Sequence, residues 1–292
     1  GTMKNSGVEL ELGYKINRGD FDFGTNLNVS YIKNELVDLG NADGFESKDN
    51  VHQIGNVSRA ENGQPYPFFY GWSTNGILQN ESEADAYNKQ YGQSAVPGDV
   101  RFVDYNRDGA LTDDDMHNIG NGYPKVTFGW NFNASYKNFD FSMLISGAFG
   151  GKIADVTRRL DCDYVNLPAE FMDRWHGEGT SNKIPRFTFP GKDSNRNWGR
   201  FSDLYIHNGD YARIKNIQLG YTLPATLTRK FFVSRLRLYV SAENLFTFTG
   251  YKGLDPENSV AGSGVTGSSS TGIDYCGVPS TASMSFGINL TF

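Results

Sequence analysis

Apolar and polar residues alternate one by one along several stretches of this chain. At residues 281–292, apolar side chains occupy every even position, while Thr, Ser, Gly and Asn occupy the odd ones. Residues 125–137 show the same period of two, which places the two sets on opposite faces of a β-strand. The alternation therefore predicts strands with one apolar face, at 8–16, 21–31, 126–136, 139–149, 206–222, 236–246 and 281–292.

One of these stretches is irregular. Alternation in 206–222 is clear at Ile217, Leu219 and Tyr221 but is lost upstream, near Arg213 and Lys215. An extra residue in one strand of an antiparallel pair shifts the pattern in this way. We therefore predict a β-bulge near Arg213 and Lys215.

The connections between the predicted strands alternate between short and long. Two short ones are turns at 17–20 and 137–138, and a third runs for about a dozen residues from Leu223 to Val233. Outer-membrane barrels have short periplasmic turns and longer extracellular loops. The pattern therefore predicts strands of a large antiparallel transmembrane β-barrel, an all-β fold. The long extracellular loops would span roughly residues 35–123, 152–205 and 250–280.

Aromatic residues gather at both ends of the predicted strands. A strand from Phe139 to Phe149 would rise roughly 25 Å at a tilt of about 40°, which matches the height of a barrel's apolar band. Aromatic girdles mark the two interfaces of such a band. One girdle would contain Tyr14, Phe21, Phe23, Tyr136, Phe139, Phe141, Tyr221 and Phe292, and the other Tyr31, Phe149, Phe246 and Phe248.

Composition changes this picture in two ways. The 292 residues carry 27 Lys and Arg against 33 Asp and Glu, so the formal charge is −6 and no nucleic-acid partner is expected. Mean hydropathy is −0.49, which agrees with a barrel because only alternate strand residues face lipid.

Seven strands with an apolar outer face leave two unpaired edges. We therefore expect the chain to be part of a longer protein.

An acidic segment in the first long connection has the spacing of a calcium loop. Residues 104–115 place side-chain oxygens at positions 1, 3 and 5, Gly at 6 and a backbone carbonyl at 7. Position 12 is Asp, one methylene shorter than the usual Glu. The spacing predicts a structural calcium ion in an extracellular loop, and the alternative is an acidic loop rich in Asx turns. The predicted ligands are Asp104, Asn106, Asp108, Ala110, Thr112 and Asp115.

Catalytic motifs are not found in the sequence. It contains no GxSxG, no Walker loop and no GxGxxG followed by a helix. The acidic pairs, Asp161 with Asp163 and those within 113–115, have no fixed geometry and are expected to be solvated loop acids, so we expect no enzyme. Cys162 and Cys276 are either two free thiols or a disulfide.

Aromatic residues of the predicted loops have two interpretations. They either stack on sugar rings or pack the loops together, and packing is favoured because aromatic side chains dominate protein cores. The candidates for substrate contact are Tyr66, Trp72, Trp175 and Trp198.

Several segments resemble, in the same order, the C-terminal part of SusC/RagA-type TonB-dependent outer-membrane transporters. Lys4–Leu10 is similar to an internal strand opening of that family. The acidic loop and the late-barrel motifs of the family are similar to Pro97–Gly109, Ile119–Pro124, Leu219–Pro224, Ala242–Thr247 and Gly253–Glu257. Asp115, Tyr105 and Arg107 depart from the usual acidic loop, which bears on calcium affinity.

This resemblance implies a barrel of about 22 strands with a plugged lumen. The N-terminal plug, the earlier strands and the segment that contacts the TonB complex would lie outside this chain. The family imports oligosaccharides or peptides together with a SusD-like surface lipoprotein. The implied location is the outer membrane of a Gram-negative bacterium, of the Bacteroidota.

Two other functions remain open at this point. One is a secreted soluble β-protein that binds glycans through loop aromatics and calcium, and the other is a barrel-embedded hydrolase. A transporter would fractionate with the outer membrane, require detergent and turn over no glycan, whereas a binding module would be soluble and fold alone.

Overall fold

The computed structural model describes residues 1–40, 44–46, 51, 54–157, 166–167, 169–189, 192–257 and 271–292. Its strands in chain order are β1 (Thr2–Arg18), β2 (Phe21–Asp38), β3 (Phe45–Glu46), β4 (Ser58–Ala60), β5 (Phe68–Gly71), β6 (Thr74–Ile77), β7 (Val100–Phe102), β8 (His117–Gly120), β9 (Val126–Tyr136), β10 (Phe139–Phe149), β11 (Lys152–Asp155), β12 (Ile206–Asn208), β13 (Tyr211–Thr222), β14 (Arg235–Thr249), β15 (Ile273–Asp274) and β16 (Ser283–Thr291). Helices are α1 (Glu81–Tyr91), α2 (Ala225–Thr228) and 3-10 turns at Asp113–Asp115, Ala169–Asp173, Asp203–Tyr205 and Arg229–Phe231.

One large antiparallel sheet contains one strand from each of the seven predicted stretches. Its strand order is β1-β2-β9-β10-β13-β14-β16, so each strand pairs with the next sheet strand along the chain. The predicted bounds of β9 and β10 match the structure. The all-β fold class is therefore confirmed, with a meander of seven strands as its main element.

The sheet has one apolar and one polar face, because directly opposite residues of an antiparallel pair share a face. Six strands contribute to one apolar row, Leu12, Leu27, Trp130, Ile145, Ile214 and Phe246. A row on the other face contains Glu11, Asn28, Gly129, Ser146, Arg213 and Thr247.

The predicted bulge is present. Ile145 pairs with Ile214 and Leu144 with Asn216, so Lys215 has no direct partner on β10. The register between β13 and β14 shifts at the same place. The extra residue restores Ile214 and Ile217 to the apolar face, which explains the lost alternation.

The prediction of one strand over 206–222 was wrong at its start. Ile206–Asn208 forms β12, which pairs with β11 in a separate three-stranded sheet. Gly209 and Asp210 interrupt the pattern, and Gly209 packs so closely on Gly151 that a Cβ would lie 3.1 Å from its carbonyl oxygen. Within the predicted stretch 206–222, only β13 belongs to the large sheet.

The apolar face has no protein covering it among the described residues. Phe286 is 89% exposed, and Val8, Met284 and Ile288 are also mostly exposed. An apolar surface of this extent is typical of a face that lies against another protein or a membrane.

The long connections pack together into one body, which we call the loop module, formed by the described parts of 39–125, 150–210 and 250–282. Two buried clusters are its cores. The first contains Val51, Val57, Phe69, Ala154, Val156, Phe171, Trp198, Phe201, Tyr205 and Ile273, drawn from all three connections. The second contains Trp72, Ile77, Leu78, Ala84, Tyr87, Ala95, Val100, Phe102 and Leu111.

The loop module contains the longest helix of the described residues. Asn80 caps the N-terminus of α1 by accepting from Glu83 N, and Gly92 in the left-handed conformation ends it. Among the described residues, no helix is both long enough and apolar enough to cross a membrane.

Candidate functional site: the loop module and its anchor to the sheet

A buried carboxylate joins the first long connection to the second. Asp99 Oδ1 accepts from Arg186 Nε at 2.7 Å and from Asn197 Nδ2 at 2.8 Å, and its Oδ2 accepts from Val96 N at 2.9 Å. Asp99 itself is fully buried. A buried charge persists only when it is paired and hydrogen-bonded, so these donors hold the two connections together.

Gly98 makes this junction sterically possible. Its φ is 90°, and a Cβ there would lie 2.4 Å from Cε3 of Trp175. Only glycine combines this conformation with so close a ring. The Pro97–Gly98–Asp99 segment is therefore the point at which the first long connection packs against the second.

Substitution of Gly98 with Ala tests this junction. We expect Gly98→Ala to lower the free energy of opening at residues 95–103 by about 1–3 kcal/mol more than Gly92→Ala does, because the added methyl overpacks against Trp175. Gly92 also has positive φ, but a Cβ added there would meet no atom within 4 Å. Hydrogen exchange of the full-length protein measures both, and equal effects would contradict the steric argument.

A second buried charge attaches the third connection to the sheet. Arg213 lies on the polar face of β13, and its side chain is 2% exposed. Its guanidinium donates to Thr247 Oγ1 at 2.7 Å, to Glu257 Oε2 at 2.8 Å and to Asp255 Oδ1. Lys215, at the bulge, donates to Glu257 Oε1 at 2.6 Å. The bulge thus turns two cations towards residues 255–257.

Asp255 is the centre of this anchor. Besides Arg213, it accepts from Glu257 N and from Ser280 N, both at 2.9 Å, and so joins the two ends of the third connection. Burial alone would raise the pKa of Asp255, but hydrogen bonds from Arg213 and from the backbone at Ser280 and Glu257 outweigh it. The pKa of Asp255 is therefore below its usual value.

The four aromatic candidates for substrate contact lie in different settings. Trp72 and Trp198 are 3% and 2% exposed and belong to the two cores of the loop module. Trp175 and Tyr66 are half-buried, and Trp175 Nε1 donates to Gln79 Oε1 at 3.2 Å. The structure does not bring the four rings together on one surface. Packing accounts for Trp72 and Trp198, which no ligand can reach in this arrangement.

The predicted calcium ligands lie in one tight turn. Asp104 accepts from Asp108 N and Gly109 N, and Asp108 Oδ1 accepts from Ala110 N. Asp115 is buried, and its carboxylate accepts from the backbone N–H groups of Tyr105, Asn106 and Thr112. Asp115 thereby closes the turn through its own hydrogen bonds. Across the described residues, no group of three or more His, Cys, Asp and Glu side chains is arranged for a metal ion.

Calcium binding by residues 104–115 therefore stays a prediction. We expect isothermal titration of the full-length protein to show binding with a dissociation constant of about 0.1–1 mM, as in extracellular calcium modules. Asp104→Ala removes a predicted ligand, whereas Lys183→Ala alters an exposed residue elsewhere in the loop module. No heat at millimolar calcium, or equal heats in both variants, would contradict the prediction.

Three residues of the junctions were not predicted as site residues. Asp99 and Asp255 stand in segments that the sequence marks only as motifs, and Arg213 stands at the predicted bulge. The signal available for Asp99 and Asp255 was an acid beside Gly or Pro in a polar loop, which is common in turns. Cys162, Asp161 and Asp163 lie outside the described residues, whereas Cys276 is exposed.

Searches for similar proteins find relatives that align with the whole chain. No family model matches the chain. A TonB-dependent receptor of Formosa agariphila is 30% identical over 297 residues, which cover 100% of this chain and 29% of that protein. The TonB-dependent receptor SusC of Bacteroides thetaiotaomicron is 26% identical over 298 residues, which cover 100% of this chain and 27% of that protein. The chain thus spans less than a third of these relatives.

A solved structure shares the fold. The structure of the RagAB peptide transporter superposes with a TM-score of 0.71 at 22% identity, over 99% of this chain and 29% of that chain. The large sheet and the loop module therefore form a fold already seen within a longer protein.

Proposed function

Because the chain belongs to the TonB-dependent receptors of the SusC type, we propose that it forms part of the wall and the outer loops of an outer-membrane importer. The observation that carries this proposal is the exposed apolar face, which runs across all seven strands of a fold shared with a transporter. Lipid would cover that face, since each inner strand is hydrogen-bonded to a strand on either side and the sheet interior presents side chains to it.

The loop module sets the orientation that we propose. Its three connections all leave the same end of the sheet, and tight turns at Gly19–Asp20 and Lys137–Asn138 close the other end. Barrels of the outer membrane keep their short turns in the periplasm. The loop module would then stand outside the cell, where cargo arrives.

The polar face would line the lumen. Asn, Ser, Thr and Gly predominate on it, and Arg237 donates two hydrogen bonds to Asp140 across Gly220. A Cβ at Gly220 would lie 2.4 Å from Arg237 Nη2, so glycine lets this ion pair lie flat against the wall. A flat hydrophilic wall is suited to a plug that moves and to polar cargo.

We propose oligosaccharides or peptides as cargo. A SusD-like surface lipoprotein would bind the cargo together with this protein, and the TonB complex would drive its import. Support comes from the relatives, because one is SusC and the fold neighbour RagAB is a peptide transporter. Contact with TonB would be made by parts of the protein outside this chain. The two packed cores order the loop module, on which such a lipoprotein would rest.

Deletion of the gene tests this function. We expect loss of uptake of either labelled oligosaccharides or labelled peptides in the source bacterium, and recovery when the full-length gene is restored. The protein should fractionate with the outer membrane. Unchanged uptake of both cargo classes, or recovery of the protein in the soluble fraction without detergent, would contradict the proposal.

A further inference from the structure

The connection from Leu223 to Ser234 differs from the two other short connections. It carries α2 and the 3-10 turn Arg229–Phe231, where the others are tight turns. Backbone bonds fix both of its ends, from Leu223 N to Leu236 O at 2.8 Å and from Ser234 N to Thr291 O at 2.7 Å. The connection is therefore an ordered projection from the short-turn end of the sheet.

Two apolar side chains of this projection are exposed. Phe232 is 91% exposed and Leu227 is 50% exposed. Phe232 also has φ of 60°, a left-handed conformation that is unfavourable for a non-glycine residue. Removing an exposed phenyl ring from water is favourable, so an apolar partner would stabilise this conformation.

Charge indicates what covers these side chains. Residues 223–234 include Arg229 and Lys230, both exposed, and contain no Asp or Glu. Lys137, at the neighbouring turn, places its Nζ 5.3 Å from the ring centre of Tyr136. Aromatic rings with basic side chains beside them are typical of the interface between acyl chains and headgroups.

Exposed rings of the apolar face also lie at the short-turn end of the sheet. Tyr136, Phe139 and Phe292 lie at this end, and each is more than half exposed. Phe232 lies in the connection at this same end of the sheet, where these exposed rings mark one edge of the apolar face. Anionic headgroups would meet Arg229 and Lys230, and acyl chains would meet Phe232.

We propose that residues 223–234 are an interfacial anchor, in which Leu227 and Phe232 enter the acyl-chain boundary while Arg229 and Lys230 bind anionic phospholipid headgroups. The leaflet is the one at the short-turn end of the sheet. This inference rests on the proposed function, since it requires the sheet to span a membrane.

Depth-dependent quenching tests the apolar half of the anchor. The full-length protein is reconstituted in vesicles with brominated phosphatidylcholine, and Trp fluorescence is compared between wild type and Phe232→Trp. We expect the added Trp to be quenched by bromine near the headgroups. Phe286→Trp, on the apolar face, is the positive control, and Phe189→Trp, an exposed ring of the loop module, is the unquenched control.

The outcomes separate the two proposals. Quenching at 286 without quenching at 232 overturns the anchor and leaves the membrane-spanning sheet in place. Absence of quenching at both positions overturns the proposed function, and the anchor falls with it.

Lipid selectivity tests the charged half. Exchanging brominated phosphatidylcholine for brominated phosphatidylglycerol at the same mole fraction should strengthen quenching of Phe232→Trp. The local enrichment should reach roughly fivefold per basic residue at low ionic strength, since each contributes about 1 kcal/mol. Arg229→Gln with Lys230→Gln should abolish the preference, whereas Lys183→Gln should keep it. Equal quenching by both lipids would overturn the headgroup contact.

Discussion

Replacing Asp255 with Ala is expected to lower the free energy of opening of residues 250–257 by about 3 kcal/mol or more. The substitution leaves the buried Arg213 guanidinium with Glu257 as its remaining carboxylate, and it leaves Ser280 N without its acceptor. Hydrogen exchange at the backbone amides of Glu257 and Ser280 in the full-length protein measures the loss.

An exposed ion pair provides the matched control. Lys33 Nζ and Glu35 Oε2 lie 3.0 Å apart on the sheet, and both side chains are more than a third exposed. Glu35→Gln should therefore change local opening far less than Asp255→Ala does, because water screens an exposed pair. Equal losses in the two variants would show that Asp255 does not anchor the third connection.

The pH dependence of this anchor has a definite sign. Because the pKa of Asp255 is lower in the folded protein than in the unfolded chain, its carboxylate contributes stability above the unfolded pKa of about 3.9. That contribution is lost as the pH falls through the folded pKa. The gap in opening free energy between wild type and Asp255→Asn should therefore stay constant from neutral pH down to about pH 5 and narrow below about pH 4.

Replacing Phe286 with Arg is the second change with a large expected effect. Phe286 lies near the middle of β16 on the apolar face, where Arg facing lipid costs about 2–4 kcal/mol at the bilayer midplane. Ser285→Arg is the matched control, since the neighbouring side chain belongs to the polar face. We expect Phe286→Arg to reduce the folded fraction in a urea titration of the full-length protein in vesicles far more than Ser285→Arg. Equal reductions would contradict the assignment of the two faces.

The sheet was predictable because apolar and polar residues alternate along each strand and so mark its two faces. β9 and β10 were predicted to the residue, since apolar residues recur at nearly every second position of both and the turn at Lys137–Asn138 separates them. β2 runs on to Asp38. The prediction ended at Tyr31 because Lys33, Asn34 and Glu35 break the hydrophobic pattern. Pairing with β1 extends the strand where the side-chain pattern gives no signal.

The loop module was not predictable in the same way. Asp99 and Arg186 are 87 positions apart, and Arg213 and Asp255 are 42 apart, with no period connecting them. Residue type also fails to separate a core Trp from a ligand-binding Trp, because both need a large apolar ring. Trp72 and Trp198 became distinguishable only once three connections from distant parts of the chain packed together.

Labelling of single cysteines in intact cells tests the central claim most directly. In a full-length protein with its native cysteines replaced by Ser, Lys183→Cys places a thiol on the loop module and Asp20→Cys places one on a short turn, both at exposed positions. A membrane-impermeant maleimide should label position 183 in intact cells and label position 20 only after the outer membrane is permeabilised. Labelling of position 20 in intact cells, or of neither position until permeabilisation, would contradict a sheet that spans the outer membrane with its loop module outside.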